Sequence, residues 1–211
     1  MHPSWLSNAY LVADSPGGTA VFVDSGAPME PLWATARDWG VEPVAILRTH
    51  SHPDHVEHED ELGLPVVTGA FDEGGLRVGA IPTPGHSDDM VAFVVEGAAV
   101  FTGDTLFKDS VGGGDYEQVR HSVMDVLLEL PDGFRVLPGH TDETTIGQER
   151  EHNPFVRYWR GVEEGTDPCR VNGEDATLVV WSPDYDGKGK ALVRFGDGRE
   201  AIVGGSRVER S

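Results

Sequence analysis

The amino-acid sequence predicts a mixed α/β (α+β) fold with a small β segment at the C-terminal end of the chain. Up to about residue 162, short apolar runs alternate with segments of helical periodicity, and Gly and Pro mark the boundaries. Beyond that point, short alternating strands are separated by Asp-Gly turns. A chain of 211 residues has room for one main domain plus such an appendage.

In the first part of the chain, predicted strands and helices follow one another closely. Segments 8–12 and 19–24 are predicted strands joined by a turn, and 28–39 is a predicted helix with one apolar face. The run 44–47 is a short buried strand that leads almost directly to His50. The remaining predicted strands are 65–68, 90–95, 98–102 and 134–137, and the remaining predicted helices are 115–130 and 144–159, the last one broken near Asn153.

The C-terminal segment, residues 163–211, is predicted to be a small all-β unit beside a main domain at residues 1–162. Its strands are expected at 177–181, 190–195 and 200–203. A small barrel is one arrangement that such strands form. The alternative is that they extend the sheets of the main domain.

Composition and charge limit the classes of partner. The chain has 16 basic and 36 acidic side chains, and its formal charge of −20 disfavours nucleic acid, which is bound largely through Lys and Arg. It has no apolar run long enough to span a membrane, its start lacks the pattern of a signal peptide, and Cys169 is the single cysteine. We therefore expect a cytoplasmic protein with no nucleic-acid or membrane partner. The sequence sets no oligomeric state.

The strongest functional signal is a group of four metal-binding side chains that directly follows the buried strand 44–47. On an extended loop, side chains two positions apart point to the same side, so His50 and His52 can bind one metal ion. A turn at Pro53 directs Asp54 and His55 toward a second ion. Imidazole and carboxylate are ligands of zinc and iron. The four residues are His50, His52, Asp54 and His55.

Three later segments supply further candidate ligands. His86 lies on a loop shaped by Pro84 and Gly85, just before a predicted strand. Asp104 follows the buried strand 98–102, where a carboxylate needs a partner or a metal ion. His140 follows another buried strand after Pro-Gly. The repeated order of strand, loop and ligand favours a metal site over a set of unrelated polar loops.

These motifs resemble those of the metallo-β-lactamase superfamily, in particular its glyoxalase II-like (hydroxyacylglutathione hydrolase-like) branch. The resemblance spans about residues 5 to 160. It includes Thr-His-Ser-His-Pro-Asp-His at 49–55, Phe-Thr-Gly-Asp-Thr-Leu-Phe at 101–107, Leu-Pro-Gly-His at 137–140 and Gln-Glu-Arg-Glu-His-Asn-Pro-Phe at 148–155. It implies a four-layer αββα sandwich as the catalytic domain, with the metal site at one edge of the two sheets.

The resemblance also implies a role for each candidate residue. Two divalent metal ions are expected, zinc by preference, with iron or manganese as alternatives. Asp104 bridges the two ions, and Asp54 also orients the nucleophile, so these two carboxylates are the predicted catalytic residues. The predicted ligands of the first ion are His50, His52 and His86, and those of the second are Asp54, His55 and His140.

The chemistry expected of such a site is hydrolysis of a small thioester by a metal-bridging hydroxide. One alternative is a mononuclear iron enzyme that oxidises persulfides, with His50, His86 and Asp104 as its three ligands. Hydrolysis of lactones or other esters is a second alternative. A metal-dependent binding module, with the β segment as its interaction surface, is a third. Two features depart from glyoxalase II: loop 111–115 has no basic residue, and a β segment replaces the helical domain that helps hold glutathione.

Overall fold

Two β-sheets pack face to face in the main part of the chain, and helices cover their outer faces. The computed structural model describes residues 1–2, 4–95, 97–162 and 165–210. The predicted domain boundary after residue 162 adjoins residues 163–164, which lie outside the described residues. The predicted mixed α/β fold is confirmed.

The first sheet is built by the N-terminal part of the chain. Its strands are β1 (Tyr10–Ala13), β2 (Thr19–Val23), β3 (Glu42–Leu47) and β4 (Val66–Val67). They lie in the order β1-β2-β3-β4. The first pair is antiparallel and the other two pairs are parallel.

The second sheet is larger and is built from the middle of the chain. Eight strands follow β4: β5 (Phe71–Glu73), β6 (Leu76–Pro82), β7 (Val91–Val95), β8 (Ala99–Gly103), β9 (Leu106–Phe107), β10 (Ser110–Val111), β11 (Arg135–Pro138) and β12 (Thr144–Thr145). Six of them form a sheet in the order β12-β11-β8-β7-β6-β5, while β9 and β10 form a separate ribbon. The hairpin of β5 and β6 was not predicted, because neither strand has the short, strongly apolar pattern of the others.

Six α-helices are present in the described residues. They are α1 (Glu30–Trp39), α2 (Pro53–Val56), α3 (Glu59–Leu62), α4 (Tyr116–His121), α5 (Ile146–His152) and α6 (Pro154–Trp159). The break between the last two has a local cause: Asn153 caps α6 by accepting hydrogen bonds from two backbone N–H groups, and Pro154 takes the first helical position. Within the described chain, no helix combines the length and hydropathy of a membrane-spanning segment.

The alternation of residues along β2 explains the layering. Val21 and Val23 lie in the core between the two sheets, where Phe93 of the second sheet also packs. Ala20 and Phe22 face the opposite way and pack with side chains of α1. Because successive side chains of a strand point to opposite faces, one strand contributes to both cores. Helices α4 and α6 cover the outer face of the second sheet, which completes four layers.

The predicted helix 115–130 is present, but it is not continuous. After α4, the chain forms a π-helical turn at Ser122–Val126 and a short 3-10 turn at Leu127–Glu129. The hydroxyl of Ser122 donates a hydrogen bond to the carbonyl of Pro84 at 2.7 Å. Hydrophobic periodicity predicts which face is buried, but it does not distinguish a π turn from an α turn.

The C-terminal segment forms a sheet of its own and does not extend the main sheets. Its strands are β13 (Asp167–Val171), β14 (Glu174–Ser182), β15 (Lys190–Phe195), β16 (Glu200–Gly204) and β17 (Val208–Arg210). All neighbours pair antiparallel, in the order β16-β15-β14-β13-β17. That residues 163–211 are an independent domain stays a prediction.

Alternation along β15 shows that this sheet has two buried faces. Ala191 and Val193 lie in a core within the C-terminal sheet. Leu192 faces the other way and packs in the same cluster as Phe155 of α6. Polar contacts follow the same interface, since the carboxylate of Glu200 accepts hydrogen bonds from tyrosines of both α4 and α6. The C-terminal sheet therefore shares a core with the main domain.

We predict that Leu192→Ala lowers the free energy of unfolding by about 2–5 kcal/mol, because it removes a fully buried side chain from this shared core. Denaturant unfolding, followed by far-UV circular dichroism and by tryptophan fluorescence, measures the change. Both probes should shift together. Val162→Ala is the control, since Val162 is 55% exposed, and it should stay within about 0.5 kcal/mol of the parent. A main transition that is unmoved by Leu192→Ala would show that the two units are uncoupled.

Candidate metal centre

The structure brings all seven predicted ligand side chains together at one edge of the two sheets. Four strand ends deliver them: β3 leads to the segment with α2, the β6–β7 turn carries one histidine, and β8 and β11 end next to the others. Their donor atoms form overlapping groups within 4.8 Å of one another. The groups are His50–His52–His86, Asp54–His55–His140 and His50–His55–Asp104. The first two are the sets predicted for the two metal ions.

Three imidazole nitrogens converge in the first group. Nδ1 of His52 lies 3.1 Å from Nε2 of His50 and 2.9 Å from Nε2 of His86. Nitrogen ligands of a tetrahedral zinc ion, with bonds of about 2.0–2.1 Å, are separated by about 3.3 Å. The observed spacing is therefore close to the spacing that one ion requires.

Asp104 lies between the two groups. Its Oδ2 is 3.5 Å from Nε2 of His86 in the first group and 3.4 Å from Nε2 of His140 in the second, and its Oδ1 is 3.4 Å from Nε2 of His55. The other carboxylate, Asp54, is 3.3 Å from Nε2 of His140. One buried carboxylate thus contacts members of both groups.

Buried polar atoms without a partner mark the middle of this site. Nε2 of His55, Nε2 of His140 and Oδ1 of Asp104 are buried, and none has a hydrogen-bond partner among the described residues. Each such atom costs about 1–3 kcal/mol when nothing satisfies it. Three of them face one another here. The donor set fits divalent metal ions, which would satisfy all three at once.

Hydrogen bonds on the far side of three rings set which nitrogen faces the site. Nδ1 of His86 donates to the carbonyl of Gly113 at 2.8 Å, and Nδ1 of His140 donates to the carbonyl of Leu6 at 3.1 Å. Because a carbonyl oxygen only accepts, each of these rings carries a proton on Nδ1, and Nε2 is the nitrogen that faces the site. Nδ1 of His55 is held in the same way by a carboxylate oxygen, that of Asp24. Such outer partners hold metal-binding histidines in orientation.

The carboxylate that holds His55 is Asp24, which the sequence analysis did not select. Asp24 is 2% exposed and directly follows β2. It accepts hydrogen bonds from Nδ1 of His55 at 2.8 Å and from both the backbone N–H and the hydroxyl of Thr49, at 2.7 and 2.8 Å. The hydroxyl of Thr49 in turn lies 3.0 Å from Nδ1 of His50. The available signal was an aspartate at the end of a buried strand, the same signal that selected Asp104.

Two glycines allow the loops to approach each other closely. A Cβ atom on Gly139 would lie 2.2 Å from Oδ1 of Asp104, and one on Gly26 would lie 1.6 Å from the carbonyl oxygen of Asp54. Any larger residue at either position would displace a candidate ligand. The backbone N–H of Gly139 also donates to the carbonyl of Gly103 at 2.8 Å, which ties the His140 loop to the end of β8.

The charges of the site favour cations. Burial lowers the pKa of His50 to about 4, so this ring is neutral. Burial acts in the same direction on His55 and His140, but the nearby carboxylates of Asp104 and Asp24 raise the pKa of His55 to about 11, and those of Asp104 and Asp54 raise the pKa of His140 to about 9. Against burial, the imidazole rings of His140 and His55 hold the pKa of Asp104 well below its usual range. The carboxylates thus stabilise positive charge where metal ions would bring it.

We predict that Asp24→Asn weakens zinc retention by about 10- to 100-fold, because the amide no longer holds His55 as the carboxylate does. Competition with a chromogenic zinc chelator measures this. The control is Asp14→Asn, which changes an exposed aspartate at the end of the neighbouring strand β1. Equal zinc retention in the two variants would mean that Asp24 does not support the site.

Comparisons with known proteins agree with this arrangement, although no protein-family model matches the chain. Rv2581c of Mycobacterium tuberculosis, an uncharacterized protein, is 34% identical over 71% of this chain and 92% of its own length. YqgX of Bacillus subtilis, a probable metallo-hydrolase, is 29% identical over 71% and 92% of the two chains. BaeB of Bacillus velezensis, a probable polyketide biosynthesis zinc-dependent hydrolase, is 27% identical over 71% of this chain and 80% of its own length.

Solved structures give the same result. The B3 metallo-β-lactamase BLEG-1 aligns with a TM-score of 0.66 and 28% identity, over 74% of this chain and 96% of its own. TTHA1623 in a di-iron-bound form aligns with a TM-score of 0.61 and 34% identity, over 74% and 98%. ETHE1 from Myxococcus xanthus aligns with a TM-score of 0.62 and 26% identity, over 74% and 82%. The four-layer fold, the order of the candidate ligands and these similarities show that the chain belongs to the metallo-β-lactamase superfamily.

Proposed function

We propose that the protein is a dinuclear metal-dependent hydrolase of a small thioester, of the glyoxalase II-like kind. The observation that carries the proposal is the position of Asp104 between two donor groups, among buried atoms that lack a hydrogen-bond partner within the described residues. The names of YqgX and BaeB, both probable hydrolases, support hydrolysis as the reaction class. The branch assignment is supported by the motifs at 101–107, 137–140 and 148–155.

The proposed ligands are His50, His52 and His86 for one ion and Asp54, His55 and His140 for the other, with Asp104 shared. When bound, two divalent ions would activate a water molecule as the nucleophile and polarise the carbonyl of the substrate. We propose zinc, in keeping with the zinc-dependent hydrolase BaeB. The di-iron form of TTHA1623 makes iron the alternative.

Exposure of the ligands indicates where the substrate enters. The side chains of His55 and His140 are fully buried, and that of Asp104 is 5% exposed. Those of Asp54 and His86 are 24% and 20% exposed. The open side of the centre is therefore bounded by Asp54 and His86, and the substrate reaches the centre from there.

Asp54 and Asp104 have different roles in this proposal because they differ in exposure. Asp104 is enclosed by imidazole rings, so it fixes the spacing of the two donor groups. Asp54 reaches the open side, where its carboxylate can accept a hydrogen bond from the attacking water and hold it toward the carbonyl. No serine or cysteine nucleophile is needed.

The net charge limits the class of substrate, and the second donor group limits the class of reaction. The formal charge of −20 disfavours polyanions such as phosphodiesters, which is consistent with a small acyl substrate. The persulfide-oxidising alternative would need only His50, His86 and Asp104. It would leave buried Nε2 atoms of His55 and His140 without a partner. The second donor group therefore favours the hydrolase.

A substrate panel tests the proposal. The zinc-loaded protein should hydrolyse a small thioester such as S-lactoylglutathione or thiophenyl acetate faster than a lactone, a β-lactam or a phosphodiester. Thiol release measures the first reaction, and loss of the intact substrate, followed by chromatography, measures the other three. The iron-loaded protein should show no oxygen uptake with glutathione persulfide. Oxygen uptake without thioester cleavage would replace the proposed hydrolase with the dioxygenase.

Two variants of the same site sharpen this test. Asp104→Ala should lower kcat/KM for the thioester more than tenfold, a loss above ~1.4 kcal/mol of transition-state stabilisation, since it loosens both donor groups. His52→Ala leaves one group and the shared carboxylate intact, so it should retain more activity when zinc is in excess. Activity of Asp104→Ala within tenfold of the parent would contradict the bridging role of Asp104.

A further inference from the structure

The C-terminal sheet reaches the metal centre through the loop that joins β14 to β15, residues 183–189. Tyr185 of this loop stacks on His140, with ring centroids 3.8 Å apart and ring planes 6° apart. The ring of Phe107 packs edge-on against both of these rings, with its centroid 5.8 Å from that of His140 and 6.2 Å from that of Tyr185. One face of a proposed ligand is therefore covered by a side chain from outside residues 1–162.

An ion pair fixes this loop at its base. Nζ of Lys190 lies 3.1 Å from Oδ2 of Asp184, and the two side chains are only 12% and 6% exposed. The same ammonium group lies 5.9 Å from the centroid of the Phe107 ring. A pair this deeply buried holds one geometry, because breaking it leaves a buried charge without a partner. Asp184 directly precedes Tyr185, so the pair sets the position of the tyrosine.

A chain of hydrogen bonds joins the same loop to the main domain. The hydroxyl of Ser182 donates to the carbonyl of Asp109, five residues beyond Asp104. The backbone N–H of Asp109 donates to Glu149 at 2.9 Å, and Glu149 also accepts from the amide of Asn153 at 2.9 Å. The motif at 148–155 thus braces the loop after the bridging aspartate, and that loop anchors β14.

The hydroxyl of Tyr185 is available for a further contact. It has no hydrogen-bond partner in the part of the chain that the structure describes, and the side chain is half-buried. Its neighbour His140 lies 3.3 Å from Asp54, the carboxylate on the open side of the centre. The tyrosine therefore stands at the rim where the substrate is expected to enter.

We propose that Tyr185 is a substrate-positioning residue of the metal centre: its ring holds His140 in orientation, and its hydroxyl donates a hydrogen bond to an acyl oxygen of the substrate. The second part rests on the proposed hydrolase function. A phenol suits both tasks, since its flat face packs on a ring while its polar end stays free to donate. The C-terminal sheet is then part of the active site.

Two substitutions separate the two tasks of Tyr185. Tyr185→Phe keeps the ring and removes only the hydroxyl, so zinc affinity and thermal stability should not change. Its kcat/KM for the thioester should fall about tenfold, as expected for one lost hydrogen bond in the transition state. Tyr185→Ala should show that loss and also about tenfold weaker zinc binding in chelator competition, because His140 is no longer held.

The control is Tyr158→Phe. The hydroxyl of Tyr158 donates a hydrogen bond to Glu200 of the C-terminal sheet. It contacts none of the proposed ligands within the described residues. This variant should keep the kinetics and the zinc affinity of the parent. If Tyr158→Phe and Tyr185→Phe lose activity to the same extent, the effect of Tyr185 is a general loosening of the sheet and the proposal is wrong.

A binding measurement keeps this test independent of the thioester. Acetohydroxamate, a small probe with an acyl oxygen, is titrated calorimetrically into the zinc-loaded parent and variants, and Tyr185→Phe should bind it about tenfold more weakly. That result in a protein without thioesterase activity would support Tyr185 and overturn only the proposed substrate. Acetohydroxamate binding and kcat/KM within twofold of the parent in Tyr185→Phe would overturn the role of the hydroxyl. Unchanged zinc affinity in Tyr185→Ala would overturn the role of the ring.

Discussion

The arrangement of the whole site depends on the burial of one carboxylate. Asp104 is 4% exposed and lies at the end of β8, where water cannot solvate its charge. A buried carboxylate of this kind must be matched by positive charge, or it is protonated. The surrounding imidazole nitrogens can accept a cation but cannot all be protonated, because His50 is held neutral by burial. Divalent ions satisfy the carboxylate and the nitrogens together.

The fold makes this concentration of donors possible. In the second sheet, β8 and β11 are parallel neighbours, so their C-terminal ends deliver Asp104 and His140 to the same edge. In the first sheet, β2 and β3 are parallel and deliver Asp24 and His50 to the facing edge. The core between the sheets sets their separation. The C-terminal sheet then adds a wall to one side of the centre.

Much of this could be predicted from the sequence, because the relevant patterns are local. A buried strand followed within three residues by a histidine or an aspartate identified His50, Asp104 and His140, and the structure brings these side chains together. Asp24 has the same pattern but lies in no recognisable motif, so it was missed. Tyr185 could not be found in this way, because its contact with His140 joins residues far apart in sequence. Local sequence patterns thus predict the donor groups, but neither the contact of Asp24 with His55 nor that of Tyr185 with His140.

The proposed chemistry depends on two metal ions that share Asp104. Anomalous diffraction from crystals of the zinc-loaded protein, recorded on both sides of the zinc absorption edge, tests it most directly. We expect two anomalous peaks about 3.5–4 Å apart, each in contact with a carboxylate oxygen of Asp104. One should lie beside His50, His52 and His86 and the other beside Asp54, His55 and His140. A single peak at full zinc occupancy, or two peaks of which only one contacts Asp104, would contradict it.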